Sequence, residues 1–228
     1  MKKIAVFVEG QTEQIFIKKL FTEIAGAKHI DFNVEKISNA VFLKQSNQPD
    51  GNNARIFASI IDCSNDSKVT AAIIDNHASL KKSGYELVLG LRDLYPKPLA
   101  DLQRISRLAN SRVPTAGLPA KIHLAVMEVE AWFLLEYKHY CVISEHLTEQ
   151  IASTISGFDI KTGSPEAAAH PSETLSKIYN TVGMGYKKTR NQVERTVTAM
   201  DYENLYFDVR SRAKHFDDLI SSFEDFLA

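Results

Sequence analysis

The chain has 228 residues, 44% of them hydrophobic and 24% charged, so it can bury a substantial core without cross-links. Its formal net charge of -1 excludes a basic field over the whole molecule, and any nucleic-acid surface has to be a local patch. The two cysteines, Cys63 and Cys141, lack disulfide or metal-site spacing, and the N-terminal apolar run is too short for a signal peptide or a membrane span. We therefore expect a cytoplasmic protein with no membrane partner.

The first predicted element is a strand buried on both faces, because residues 4–8 form a continuous apolar run. The run stops at Glu9 and Gly10, and an amphipathic helical pattern follows it. Thr12 is expected to cap that helix, with Glu13 in its first turn. Gly10 is expected to supply the backbone freedom that a tight turn from strand to helix needs.

Strand and helix patterns then alternate along the first part of the chain. Further strands are predicted at residues 32–42, 85–91 and 121–127, and a polar loop at residues 45–53. Helical pattern covers much of residues 54–82, and also residues 99–108 and 131–137. This alternation predicts an α/β fold in which helices flank a mostly parallel sheet.

Beyond residue 140 the patterns are helical. Helices are predicted at residues 145–156, 172–182, 187–200, 205–214 and 216–227, with a flexible link at residues 157–171. We therefore expect two parts, an α/β domain at residues 1–137 and a helical C-terminal region at residues 138–228.

Acidic residues follow three of the predicted strands. Glu9, Asp93 and the pair Glu128 and Glu130 all come at such strand ends. The carboxyl ends of parallel strands line one edge of a sheet, and carboxylate oxygens there suit Mg²⁺ or Mn²⁺ and phosphoryl-transfer chemistry. The alternative is that these acids are solvated or cap helices, as acids in loops often are. Composition leaves both interpretations open.

Several short motifs resemble a known family. Residues 8–13 read VEGQTE and resemble the V-E-G-x-T-E opening of Toprim domains, the metal-dependent module of topoisomerases, primases and overcoming-lysogenization-defect nucleases. A bacterial Toprim-like family labelled domain of unknown function 4276 is similar at further segments. These segments are D-L-Y-P at residues 93–96, E-V-E-A at 128–131, P-S at 171–172, Y-K-K at 186–188 and H-F at 215–216.

The resemblance implies a Toprim-like fold and a Mg²⁺- or Mn²⁺-dependent nuclease acting on DNA or RNA, with transfer RNA among the targets. It also implies a role in anti-phage defence with an ABC-type ATPase partner. Glu9 would be a general acid or base or a ligand, and Asp93 with Glu128 or Glu130 would hold the metal. Tyr95 departs from the Toprim D-x-D motif, which has a second acid at that position. The alternative is therefore a catalytically degenerate Toprim-like subunit that binds or regulates the ATPase.

A local basic cluster is the candidate nucleic-acid contact. Lys187, Lys188 and Arg190 are expected to hold backbone phosphates, and the adjacent Tyr186 to stack on a base. Arg92 is expected either to pair with a carboxylate or to contact a phosphate. The alternative for the cluster is a solvated helix start without a ligand.

Overall fold

The computed structural model of the chain describes residues 1–38, 41–48, 54–65 and 68–228. Contacts divide it into two compact units, which interleave along the chain. The first unit contains residues 1–92, 101–124 and 221–228, and the second contains residues 93–100 and 125–220. The predicted division after residue 137 was drawn from a change of sequence pattern, and it stays a prediction.

A sheet of six strands is the framework of the first unit, and its strand order is β3-β2-β4-β1-β5-β6. The neighbouring pairs β1–β4, β1–β5 and β2–β4 are parallel, whereas β2 and β3 are antiparallel. The predicted α/β fold with a mostly parallel sheet is therefore confirmed. The strands are β1 Lys2–Val8, β2 Ile30–Ser38, β3 Val41–Gln48, β4 Ile56–Asp62, β5 Leu87–Asp93 and β6 Ala120–Ala125.

The predicted first strand lies inside this sheet, between β4 and β5. Residues 4–8 of β1 are fully buried, as expected for a continuous apolar run that is covered on both faces. Phe16, Leu20 and Phe21 form part of the buried face of α1, with helical spacing. The helices of this unit are α1 Gln11–Ala25, α2 Lys68–Lys82 and α3 Leu102–Arg112.

The turn from β1 to α1 differs from the prediction in two respects. Gly10, and not Thr12, is the N-cap residue, and its N–H donates to the Glu13 carboxylate at 2.9 Å. Gly10 has φ -163°, an extended conformation that other residues also adopt. A Cβ at Gly10 would meet nothing nearer than Glu13 Oε2 at 3.5 Å. The backbone of this turn therefore does not require glycine, although Glu13 does lie in the first helical turn as expected.

The region after β2 contains the largest error in the predicted elements. The helical pattern assigned to residues 54–82 begins with a strand, β4, and helix α2 covers only Lys68–Lys82. Residues 45–48, predicted as loop, belong to β3, and residues 49–53 lie outside the described part of the chain. Because β4 ends at Asp62, the sheet has a further acidic strand end that the predicted strands lacked.

The second unit is helical, as predicted for the C-terminal part of the chain. A short π-helix, Leu205–Val209, continues α9 into α10, so the predicted helix at residues 205–214 is irregular and ends before α11. Among the described residues, no helix has the length and apolar character to cross a membrane. The helices of this unit are α4 Glu130–Leu135, α5 His139–Ile143, α6 Glu149–Ser156, α7 Pro171–Asn180, α8 Arg190–Ala199, α9 Tyr202–Asn204 and α10 Arg210–Arg212. Helix α11 Lys214–Leu227 begins in this unit, and its residues 221–227 are assigned to the first unit.

Candidate metal centre

Three of the four predicted acids lie together in the second unit. Asp93 is the last residue of β5, Glu128 follows β6, and Glu130 begins α4. Each offers one carboxylate oxygen such that all three oxygens lie within 4.8 Å of one another. Among the Asp, Glu, His and Cys side chains of the described residues, these three form the one group with the spacing of a metal site. The carboxylate cluster below means Asp93, Glu128 and Glu130.

Backbone contacts between two segments bring these carboxylates together. The Leu94 N–H donates to the Ala125 carbonyl at 3.0 Å, and the Tyr95 N–H donates to the Met127 carbonyl at 2.8 Å. Asp93 Oδ1 then accepts a bond from the Val129 N–H at 3.1 Å. Met127, immediately before Glu128, has φ 60°, a left-handed conformation that is uncommon for a residue with a side chain. Such strained conformations concentrate at functional sites.

Glu128 is held by the start of helix α7. Its carboxylate accepts bonds from the Ser172 N–H at 2.9 Å and the Ser172 hydroxyl at 3.1 Å. A helix N-terminus stabilises a negative charge. Burial alone would raise the pKa of Glu128, but the Lys188 ammonium and the two bonds from Ser172 outweigh burial and lower the pKa below its ordinary value. Glu128 is therefore held in its charged form.

Glu130 is a completely buried carboxylate, with 0% of its surface exposed. The Tyr186 hydroxyl donates to it at 3.0 Å, and the Lys188 ammonium lies 3.2 Å from it. A buried carboxylate needs such partners, because removing a charge from water costs several kcal/mol. Tyr186 is itself only 3% exposed, so its ring faces the protein interior in this structure.

Lys188 connects the two glutamates. Its Nζ lies 2.9 Å from Glu128 Oε1 and 3.2 Å from the Glu130 carboxylate. Burial disfavours the ammonium, but Glu130 and Glu128, followed by Asp93, raise the pKa of Lys188 above its ordinary value. Its backbone is left-handed, with φ 55°, which is again uncommon outside glycine. The carboxylate cluster therefore already holds one cationic group from the protein.

The other residues of the predicted basic cluster have different surroundings. Lys187 and Arg190 are exposed, and Arg190 pairs with Glu194 on its own helix at 2.8 Å. Tyr95, at the position of the missing Toprim acid, is 44% exposed and packs edge-on against His170. The structure thus separates Lys188 from its two basic neighbours. Their predicted contacts with nucleic acid stay predictions.

Glu9 and Arg92 belong to the first unit, where they form one ion pair. Arg92 Nε lies 3.9 Å from Glu9 Oε1, so the carboxylate pairing expected of Arg92 is present. The nearby Cys63 is buried, and burial, followed by the charges of Asp62 and Glu9, raises its pKa to about 12. That Glu9 acts as a general acid or base or as a metal ligand stays a prediction.

Two contributors to these sites were missed by the sequence patterns. Asp62 ends β4, is 3% exposed and pairs with Lys36 at 3.6 Å. It was missed because the apolar run before it was assigned to a helix. Ser172, which binds Glu128, follows a proline at the start of a helix, a pattern that identifies a helix N-terminus but not its ligand.

The donor chemistry of the carboxylate cluster fits a hard divalent cation. Mg²⁺ and Mn²⁺ prefer oxygen ligands, and one or two carboxylates with several waters commonly bind Mg²⁺. Asp93, Glu128 and Glu130 supply carboxylate oxygens, and the Lys188 contacts indicate that these oxygens stabilise positive charge. The residues present therefore fit the metal that the Toprim resemblance implies.

The chain is thus an α/β protein with a carboxylate cluster that includes the last residue of strand β5, Asp93. The chain belongs to the DUF4276 family, described as a domain of unknown function, whose family model matches residues 8–224. Comparison with curated proteins and with solved structures gives no significant match.

Proposed function

We propose that this protein is a divalent-cation-dependent nuclease that hydrolyses phosphodiester bonds of DNA or RNA. The observation that carries the proposal is the meeting of three carboxylates, whose oxygens lie within 4.8 Å of one another. Such oxygen sites recruit Mg²⁺ or Mn²⁺, and these ions in turn bind phosphate oxygens. The similarity of residues 8–13 to the V-E-G-x-T-E opening of Toprim domains supports the same reaction class.

In this proposal, Asp93, Glu128 and Glu130 hold the metal. When bound, the ion would supply Lewis-acid stabilisation of the phosphoryl oxygens. Glu9 is proposed as general acid or base, with Arg92 as the cation that orients its carboxylate, since the two are 3.9 Å apart. Lys187 and Arg190 are exposed, so their charges are accessible to backbone phosphates.

The family resemblance extends the proposal to partners. We propose an ABC-type ATPase as the partner and anti-phage defence as the setting, with transfer RNA among the substrates to test. The net charge of -1 supports a dependence on a partner, because the chain lacks a strong overall field that would attract nucleic acid.

Cleavage of labelled DNA and of labelled transfer RNA tests the reaction. The purified chain is expected to cleave slowly with Mg²⁺ and faster with Mn²⁺, and Glu128→Gln and Glu9→Gln are expected to abolish cleavage. Glu166→Gln is the matched control, because it makes the same change at an exposed glutamate of the second unit. Equal cleavage by wild type and by both site variants would refute the proposed active site.

The second candidate function is a binding or regulatory subunit of the ATPase complex without catalysis. It is favoured by Tyr95 at the position of a Toprim acid and by the contacts of Lys188 with both glutamates. Under this alternative the chain binds its partner but cleaves neither nucleic acid with either metal. Isothermal titration with Mn²⁺ tests the nuclease at the level of metal binding, since a chain that binds no ion is excluded as a metal-dependent nuclease.

A further inference from the structure

The Lys188 ammonium and a divalent cation require the same oxygen atoms. A carboxylate offers about four lone-pair positions on its two oxygens. Glu128 uses three of them, for the Ser172 N–H, the Ser172 hydroxyl and Lys188. Glu130 accepts from Tyr186 and from Lys188. Groups of the protein therefore already fill most of the accepting positions of Glu128 and at least two of those of Glu130.

Lys188 is also the contact that can be released with the least disturbance. Tyr186 and Ser172 are fixed by a buried ring and a helix start, whereas the Lys188 side chain is 36% exposed. Its chain segment has other attachments, because the Lys187 N–H donates to Gln192 Oε1 at 2.6 Å and Arg195 donates to the Gly185 carbonyl at 2.8 Å. The ammonium can therefore leave the carboxylates while these backbone contacts remain.

We propose that Lys188 is a tethered cation that occupies the carboxylate cluster and has to be displaced when a divalent metal binds. This inference rests on the proposed function, since it concerns the regulation of the same site. An ammonium and a divalent ion at contact distance repel each other strongly in a partly buried site. The metal affinity of the chain therefore depends on the fraction of molecules in which Lys188 has left the carboxylates. The apparent Kd for the metal rises as that fraction falls.

Mn²⁺ binding by two charge-matched variants tests the proposal. Lys188→Met removes the tethered ammonium and keeps most of the side-chain length, and Lys187→Met removes the same charge from the neighbouring exposed residue. Isothermal titration is expected to give a Kd for Lys188→Met that is lower than that of wild type by about tenfold or more, whereas Lys187→Met changes it by less than about twofold.

The possible results separate this inference from the proposed function. Equal affinity of wild type and Lys188→Met overturns the inference and leaves the metal site standing. Weaker binding by Lys188→Met also overturns it, because Lys188 would then complete the charge balance around the metal. Absence of Mn²⁺ binding in both proteins overturns the metal site, and the inference with it.

A measurement on the wild-type chain covers the case in which Lys188→Met folds poorly. Lysine acetylation by an N-hydroxysuccinimide ester, read by mass spectrometry, reports how accessible each ammonium is. Saturating Mn²⁺ is expected to increase acetylation of Lys188 about fivefold relative to Lys187, as the ammonium leaves the carboxylates. An unchanged ratio, with Mn²⁺ binding verified in the same sample, overturns the displacement.

Discussion

The bond from Tyr186 to Glu130 provides a quantitative test of the carboxylate cluster. Tyr186→Phe removes only the hydroxyl, which donates to the buried carboxylate at 3.0 Å, and keeps the ring that is 3% exposed. Hydrogen bonds to charged groups contribute about 1.5–3 kcal/mol, so the free energy of unfolding is expected to fall by that amount. Tyr179→Phe is the matched control, because the Tyr179 hydroxyl bonds the neutral Thr196 hydroxyl at 3.2 Å. Its expected loss is about 0.5–1.5 kcal/mol.

Urea unfolding followed by circular dichroism measures both losses, and a double-mutant cycle with Glu130→Gln tests whether the Glu130 charge is the cause of the Tyr186→Phe loss. Glutamine still offers a carbonyl acceptor to Tyr186 but is neutral, so Tyr186→Phe is expected to cost about 1 kcal/mol in that background. The reasoning is refuted if Tyr186→Phe costs no more than Tyr179→Phe. It is also refuted if the cost is the same with Glu130 and with glutamine.

Two further predictions concern the first unit. Gly90→Val is expected to lower stability by about 1–3 kcal/mol in urea unfolding, because a Cβ at Gly90 would lie 2.9 Å from Ile73 Cδ1 and 3.0 Å from Ile122 Cγ1; an unchanged midpoint would contradict this. Cys63 is 1% exposed with its pKa raised to about 12, whereas Cys141 is exposed. A thiol reagent at pH 8 is therefore expected to modify Cys141 alone in the native protein and both thiols in urea, and rapid reaction of two native thiols would argue against this.

Local pattern was sufficient for some strands and misleading for another. The apolar run of β1 and the runs that became β5 and β6 were recognised because they are short and bounded by turn-forming or acidic residues. The run in β4 has the same character, but the predicted helix extended over it from the helical pattern of α2. Periodicity alone does not distinguish a buried strand from part of a buried helix. Residues 56–62 form a strand because they pair with β1 on one side and with β2 on the other.

The acids of the candidate site were more predictable than their cationic partner. Asp93, Glu128 and Glu130 come at or just after strand ends, and strand ends of one sheet edge meet. The Lys188 ammonium reaches Glu128 and Glu130, which lie far away in sequence, and the backbone of Lys188 itself is left-handed. No local sequence pattern specifies either feature. The same applies to Tyr186, whose ring was expected to stack on a base and is buried in this structure.

The cation at the carboxylate cluster follows from electrostatics whichever function is correct. Three carboxylates with oxygens within 4.8 Å repel one another, and Glu130 has no exposed surface through which water could stabilise its charge. A folded chain without bound metal therefore needs a positive group of its own at this point, and Lys188 provides it. In a regulatory subunit Lys188 would be permanent, and its removal would only destabilise the fold. If a divalent ion displaces Lys188, the ammonium is a temporary substitute and its removal would strengthen metal binding, so the affinity of Lys188→Met for Mn²⁺ distinguishes a displaceable from a permanent Lys188.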